Sequence, residues 1–338
     1  MGQVCEINVF LRLMKPLRTE LIPKLPGCKV SHSTRLLTMG SCFADAIGNQ
    51  LLANKFTVSV NPFGTVYNPV SLHHLLNLTL NNQSAADNGF LVREDIHLHH
   101  SFHSQFWALS KEELTIQLQS TITEQHYWLM GTDVLLLTYG TAFVYVKNST
   151  GKVVSNCHKV PSQNFSKKLL SVEDVVDSFK DTFEKLKQQK PNLQCVLTVS
   201  PVRHTKDGLE QNAVSKSVLR LACHRLQELN DVHYFPAFEL MMDDLRDYRF
   251  YKTDRIHPTD EAEEYIGEKF ADCFFDESTK KILNEWHEIK SALHHKPFQP
   301  KTVAHQAFLQ NLLKRLTAIS HKMNVQHELA ELQSRLHD

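Results

Sequence analysis

The sequence predicts an α/β fold, a three-layer α/β/α sandwich around a mainly parallel five-stranded sheet, followed by a C-terminal helical extension. Five short apolar runs, too short for helices, alternate with stretches of helical periodicity, as a parallel sheet wrapped by helices requires. Strand signals stop at about residue 276, where helical patterning takes over. The chain therefore divides into an N-terminal segment, residues 1–34, an α/β domain, 35–275, and a helical extension, 276–338.

The first run, Arg35 to Met39, leads into residues 43–55, where Phe43, Ile47, Leu51 and Leu52 recur at helical spacing. Phe56 to Val60 and Asp133 to Tyr139 are the second and third runs. Ser171-Val172-Glu173-Asp174 reads as the capped start of a helix that ends before Pro191. Leu193 to Val199 is the fourth run, and a helix from about Gln211 to Leu229 carries Val214, Leu219, Leu221 and Leu226 among its apolar residues. After the fifth run, Val232 to Phe235, comes a long loop. Pro258 ends it, and Thr259 caps the next helix, with Asp260 and Glu261 suited to the helix dipole. In the extension Pro297 and Pro300 form a hinge, and Thr302 to Asp338 reads as one long helical pattern. Leu309, Leu312, Leu316, Ile319 and Met323 follow a three-four spacing, which Val325, Leu329, Leu332 and Leu336 repeat after a phase break at Asn324. Such a helix either packs back on its own domain or pairs with a partner, a second copy of the chain included.

With 338 residues, 42% apolar and 22% charged, the chain can bury a full core. Its 37 basic and 37 acidic side chains cancel, so no net field favours nucleic acid or an anionic membrane. A small-molecule or uncharged substrate, such as a glycan ester, is the expected partner. Met1 to Glu6 lacks a basic region followed by an apolar stretch, and nothing later approaches the roughly 18 apolar residues of a membrane span. The seven cysteines are odd in number and lack the short paired spacings of zinc ligands, which points to reduced thiols in a cytoplasm and to no metal or other cofactor.

The chemistry centres on Gly40-Ser41-Cys42-Phe43-Ala44, a serine between a strand and a helix. A hydroxyl there sits in the positive end of the helix dipole, near backbone N–H groups that could hold an oxyanion; it is equally the place of an ordinary N-cap. The partner motif is Asp254-Arg255-Ile256-His257, in which a carboxylate three residues before a histidine on a tight loop could orient it as a general base. In a parallel α/β sheet both motifs fall at the carboxyl ends of the strands, where ligands bind. Cys42 offers a thiol alternative, although packing is its simpler role. His97, His99, His100 and His103 form the densest histidine cluster, read as a polar loop rather than a metal site, with His103 facing the cleft.

Gly40 to Ala44 is the signature of the GSCFA family, which is placed with the SGNH (GDSL-like) hydrolases, and the sequence resembles that family well beyond the pentapeptide. Further matches are Asn61 to Pro69, Phe102-His103-Ser104, Leu137 to Ala142, Asn156 to Lys159, Thr198 to His204 and Asp244 to Tyr251, covering roughly residues 35–270. The resemblance implies a flavodoxin-like three-layer sandwich and a catalytic Ser41, His257 and Asp254. It implies an oxyanion hole from the N–H groups of Ser41 and Gly64, with a third donor from an asparagine. Where that asparagine is expected the chain reads Gly140-Thr141-Ala142-Phe143, leaving Thr141 or a later side chain such as Asn156 as the substitute. Asn61, Tyr67, Asn68, His103, Gly140, Arg203 and His204 are the expected substrate-binding residues. Arg203 would recognise a substrate oxygen or else pair with the acidic loop at Asp243, Asp244 and Asp247. The expected activity is carboxylic-ester hydrolysis through an acyl-enzyme. An O-acyltransferase using the same residues, and a non-catalytic module that binds a glycan or acylated ligand, are the alternatives.

Overall fold

The computed structural model describes residues 19–295 and 302–337; Met1 to Glu6, with Cys5, and the Pro297 and Pro300 hinge lie outside them. All five apolar runs are strands of one parallel sheet: β1 (Arg35–Gly40), β2 (Thr57–Val60), β5 (Val134–Tyr139), β9 (Gln194–Val199) and β10 (Val232–Tyr234). Their order across the sheet is β10-β9-β5-β1-β2. The chain adds β2 on one side of β1 and then returns to lay β5 on the other. The crevice between β1 and β5 is therefore the topological switch point, where open α/β sheets bind ligands.

The apolar runs are continuous because both faces of the sheet are covered. On one face Leu37, Met39, Leu135, Leu137 and Tyr139 pack under α2 (Pro69–Leu80), α3 (Lys111–Gly131), α4 (Val172–Gln189) and α5 (Gly208–Leu226). On the other, Leu36, Val58, Val134 and Leu136 pack under α1 (Cys42–Ala53) and α6 (Asp260–Phe274). The helix starts follow the expected chemistry. Ser171 and Asp174 form a capping box at α4, and the Thr259 side chain accepts the Ala262 N–H at α6.

The apolar stripe of α5 is phased differently from the sequence expectation. Leu219 and Leu226 are buried with Ser215, Lys216, Ala222 and Cys223, whereas Val214 and Leu221 are exposed. Two smaller sheets were not anticipated: a hairpin of β3 (Phe90–Arg93) with β4 (Ile96–His99), and β6 (Phe143–Lys147) flanked by β7 (Lys152–Val154) and β8 (Phe165–Leu169). The hairpin places His97 and His99 on a strand. His99 is buried and bonds the Ala86 carbonyl at 3.0 Å, while His100 bonds the Asn156 carbonyl at 3.0 Å.

The extension corrects the single long helix. After α7 (Glu277–Leu293), α8 (Val303–Ile319) ends, the chain turns, and α9 (Gln326–His337) begins just past the phase break at Asn324. A continuous helix would have left its second apolar stripe rotated off the first; the turn lets both face one core. Leu312, Leu316, Met323, Val325 and Leu332 share that core with Trp286 and Ile289 of α7. The unit is tied to the sandwich at the end of α1, where Trp286 Nε1 donates to the Ala53 carbonyl at 3.3 Å and Lys55 pairs with Glu328 at 2.5 Å.

Candidate active site

Ser41 is the N-cap of α1 and follows the last residue of β1. Gly40 makes this turn possible. Its φ of +145° lies outside the range L side chains adopt readily, and a Cβ there would collide with the Thr138 carbonyl of β5. Ser41 Oγ accepts the Phe43 N–H at 3.4 Å, and the Ser41 N–H donates across the sheet to the Thr138 carbonyl at 3.1 Å. The residue is 1% exposed.

Around Ser41 the structure brings together several of the expected site residues. A Cβ at Gly140 would lie 3.2 Å from Ser41 Cβ and 3.1 Å from Tyr67 Cδ1, so a side chain there would crowd both residues across the switch point. The Tyr67 carbonyl accepts the N–H groups of both Gly140, at 2.8 Å, and Thr141, at 3.0 Å. The ring of Tyr67 meets that of His204 edge-on, with centroids 6.2 Å apart. Burial lowers the pKa of His204 and raises that of Tyr67, so both are neutral near pH 7.

Asp254 and His257 form a second group. His257 Nδ1 lies 2.7 Å from Asp254 Oδ2, while Asp254 Oδ1 accepts the N–H groups of Ile256, at 2.8 Å, and His257, at 3.0 Å. The bond to His257, then the two backbone bonds, hold the Asp254 carboxyl well below the usual carboxylate range. Arg203 tethers this loop to the end of β9: its N–H donates to the Ile256 carbonyl at 3.3 Å, its guanidinium donates to the Arg255 carbonyl at 3.2 Å, and the same group lies 4.0 Å from the Tyr251 ring centre. Of the acidic loop, Asp243 and Asp247 pair with Arg246 and Arg249 instead. Adjacent residues, Arg203 and His204, thus join the two groups.

The helices that follow the two groups pack against each other. A Cβ at Gly267 would collide with the Gln50 side chain, so α1 and α6 touch about two turns in from each start. Ser41 and the 254–257 loop therefore both precede the N-termini of neighbouring helices. In this structure Ser41 Oγ is not hydrogen-bonded to His257; its partner is the Phe43 N–H.

The oxyanion donors read from the family pattern are occupied. The Ser41 N–H is taken by Thr138, and the Gly64 N–H donates to the Asn61 carbonyl at 2.7 Å, closing a turn against His103. Thr141 Oγ1 faces Ser215 Oγ at 3.0 Å, and the Ala142 N–H donates to the same Ser215 oxygen at 2.7 Å. Asn156 spends its side-chain oxygen on the His158 N–H at 2.8 Å. Two further residues expected in the pocket serve the framework. Asn61 clamps Gly40, and Asn68 caps α2, accepting the Ser71 N–H at 2.9 Å. Cys42 is half-buried, and burial followed by Asp45 raises its thiol pKa, which disfavours a thiolate despite the helix N-terminus.

One residue of this neighbourhood was missed from the sequence. Lys216 of α5 is 2% exposed, and its Nζ donates to the carbonyls of Gly140, at 2.8 Å, and Ser200, at 2.7 Å, just past the ends of β5 and β9. Burial lowers its pKa to about 7. A lysine between Val214 and Leu219 in an amphipathic helix reads as surface, and only the true phase of the buried stripe singles it out.

Among the described residues, no group of three or more His, Cys, Asp or Glu side chains could hold a metal ion, and no helix is long and apolar enough to cross a membrane. The described cysteines are all free thiols.

A comparison with curated proteins finds no match. Among solved structures, the chain is similar to an acetyl xylan esterase, Est2A, from the rumen bacterium Butyrivibrio proteoclasticus, at 11% identity over 74% of this chain and 65% of that one, with a TM-score of 0.36. It is also similar to a carbohydrate esterase family 3 structure from Talaromyces cellulolyticus, at 7% identity over 75% of this chain and 99% of that one, with a TM-score of 0.34. A family model described as GSCFA domain protein, C-terminal domain, matches residues 286–338, the stretch that holds the second half of α7 with α8 and α9. The GSCFA family model itself matches residues 35–270, from the first residue of β1 into α6, and the chain accordingly belongs to the GSCFA family.

Proposed function

We propose that this protein is a serine hydrolase acting on acyl esters, with Ser41 as nucleophile, His257 as general base and Asp254 as the residue that orients it. The observation that carries the reading is the 2.7 Å contact of His257 with Asp254 on a loop that Arg203 ties to the strand end beside His204, itself against Tyr67, which like Ser41 borders Gly140. In this scheme Ser41 Oγ attacks the ester carbonyl as its proton passes to His257 Nε2. The tetrahedral intermediate collapses, the leaving alcohol takes that proton, and water repeats the sequence to release the acid. Asp254 stays ionised throughout, held low by His257 and two N–H groups. Closing the His257–Ser41 hydrogen bond on substrate entry is consistent with resting sites, where such bonds are commonly long. The reduced thiols suit a cytoplasmic setting.

The same residues would serve an O-acyltransferase if an alcohol replaced water. A non-catalytic module is the second reading, favoured by the burial of Ser41 and the occupied Ser41 and Gly64 N–H groups. A fluorophosphonate probe separates the classes. Labelling of Ser41 that disappears in His257→Ala supports the hydrolase. Absence of labelling in the folded wild-type chain supports the module.

A further inference from the structure

Resting on the Ser41 reading, we propose that Lys216 supplies the positive charge that stabilises the oxyanion, in place of the asparagine missing from the Gly140 to Phe143 turn. The turn and the lysine are physically one unit. Ser215 Oγ bonds Thr141 Oγ1 and accepts the Ala142 N–H, and the next residue, Lys216, bonds the Gly140 carbonyl. Gly140 is the residue that packs on Ser41 across the switch point. The first turns of α5 thus reach the position from which a side chain after the third strand would act.

Nothing in the packing calls for a cation there. The two hydrogen-bond partners of Lys216 Nζ are neutral carbonyls, and the Phe238 ring centre lies 5.9 Å away. Arg220, one turn further along α5, pairs with Glu239, so that carboxylate is already engaged. A buried ammonium without a carboxylate costs several kcal/mol in general, and such groups collect at functional sites. The titratable groups facing Lys216 are Cys42 from α1 and His204 after β9. Cys42 is kept as a thiol by burial, and His204 is kept neutral by burial, so neither cancels the charge.

The step balances without a co-reactant. As the Ser41 Oγ–acyl carbon bond forms and the hydroxyl proton passes to His257, the carbonyl π pair moves onto the substrate oxygen. The resulting anion faces a field of opposite sign fixed in a water-poor site, where such preorganised charge acts most strongly. When the tetrahedral intermediate collapses the pair returns and the alkoxide leaves with the proton from His257.

The test uses the full chain, with turnover of p-nitrophenyl acetate and fluorophosphonate labelling of Ser41. Lys216→Met is expected to lower kcat by roughly 10²-fold at pH 6, the loss typical of one oxyanion donor, with KM changed less than about threefold. Since the ammonium form is the active one, wild-type kcat should also fall as pH rises through about 7, and this limb should vanish in Lys216→Met. A folded variant that keeps wild-type kcat and the alkaline limb overturns the proposal. Lys216 is also read directly in the wild type by NMR of its labelled ε-carbon, which covers the case of a variant that does not fold. A boronic acid that forms a tetrahedral anion on Ser41 should raise its titration midpoint by about one pH unit or more, as a nearby opposite charge does. An unchanged midpoint with Ser41 boronated overturns the Lys216 role alone. A wild-type Ser41 that neither labels nor turns over ester overturns the hydrolase reading, and the Lys216 role with it.

Discussion

Asn61 grips Gly40 from both sides: its Oδ1 accepts the Gly40 N–H at 3.1 Å, and its Nδ2 donates to the Gly40 carbonyl at 3.3 Å. The end of β1 is thereby satisfied like a strand pair although β2 has already stopped. Asn61 does this from a φ of +43°, a conformation asparagine tolerates better than most residues. Asn61→Ala should cost about 1–3 kcal/mol, because it strands the buried Gly40 N–H, the carbonyl keeping the Val66 N–H, and leaves the strained backbone in place. Urea unfolding measures this, and a loss under 0.5 kcal/mol, roughly the scale of a surface substitution, would show the clamp to be idle.

Asp254→Asn preserves size and leaves an oxygen for the Ile256 and His257 N–H groups, but turns an amide donor toward His257 Nδ1 in place of an acceptor. The imidazole is then pushed to the wrong tautomer. In a site that works as proposed, kcat should drop by roughly 10³–10⁴ with little change in thermal stability. Steady-state ester kinetics alongside a melting curve check both halves.

Lys216 gives stability an alkaline signature. Burial sets its folded pKa near 7, below the ordinary 10.5 of the unfolded chain. The folded state therefore bears the full cost of the buried charge below pH 7. Between pH 7 and 10.5 the unfolded chain binds the extra proton, so stability rises with pH across that window. Lys216→Met lacks this dependence. Its melting temperature relative to wild type should be most favourable at pH 6 and decline steadily toward pH 10; a difference that is flat with pH would contradict a buried charge.

Two histidines give an acid signature of the opposite window. His73 is fully buried between Ser178 Oγ and the Tyr139 hydroxyl, both at 2.8 Å, and burial lowers its pKa to about 3; His99 is lowered to about 4. Both are neutral in the fold at pH 6.5 and must be protonated to unfold as pH drops, so stability is lost from about pH 6.5 downward toward 3 to 4. His73→Phe should be less stable than wild type at pH 7, by about 1–3 kcal/mol for the orphaned hydroxyls, yet lose less between pH 6.5 and 4. Parallel slopes for the two proteins would assign the acid sensitivity elsewhere.

The parallel sheet was legible because burial on both faces writes an unmistakable apolar run, as in Val134–Tyr139, all six residues of which are buried. The β3–β4 hairpin was not, since its turn residues Glu94 and Asp95 both take positive φ without a glycine to announce it. Asn68, expected from the family resemblance to bind substrate, instead starts a helix, its side chain capping the first turn and proline following at the first helical position. In the site, Ser41, Asp254 and His257 could be singled out because their chemistry is local to short motifs. The hydrogen-bond partners that decide whether a backbone N–H is free, Thr138 for Ser41 and Asn61 for Gly64, depend on strand register and turn geometry, which no spacing of residue types encodes.

A serine that is 1% exposed cannot be reached by diffusion alone. If Ser41 acts as proposed, an acyl donor meets it only after the residues that bury it move, so opening is a first-order event that precedes bond formation. Labelling of Ser41 should then reach a ceiling as probe concentration increases, and that ceiling is the opening rate of the site. Two probes of very different intrinsic reactivity would share it, which makes the protein, rather than the electrophile, the clock of the reaction.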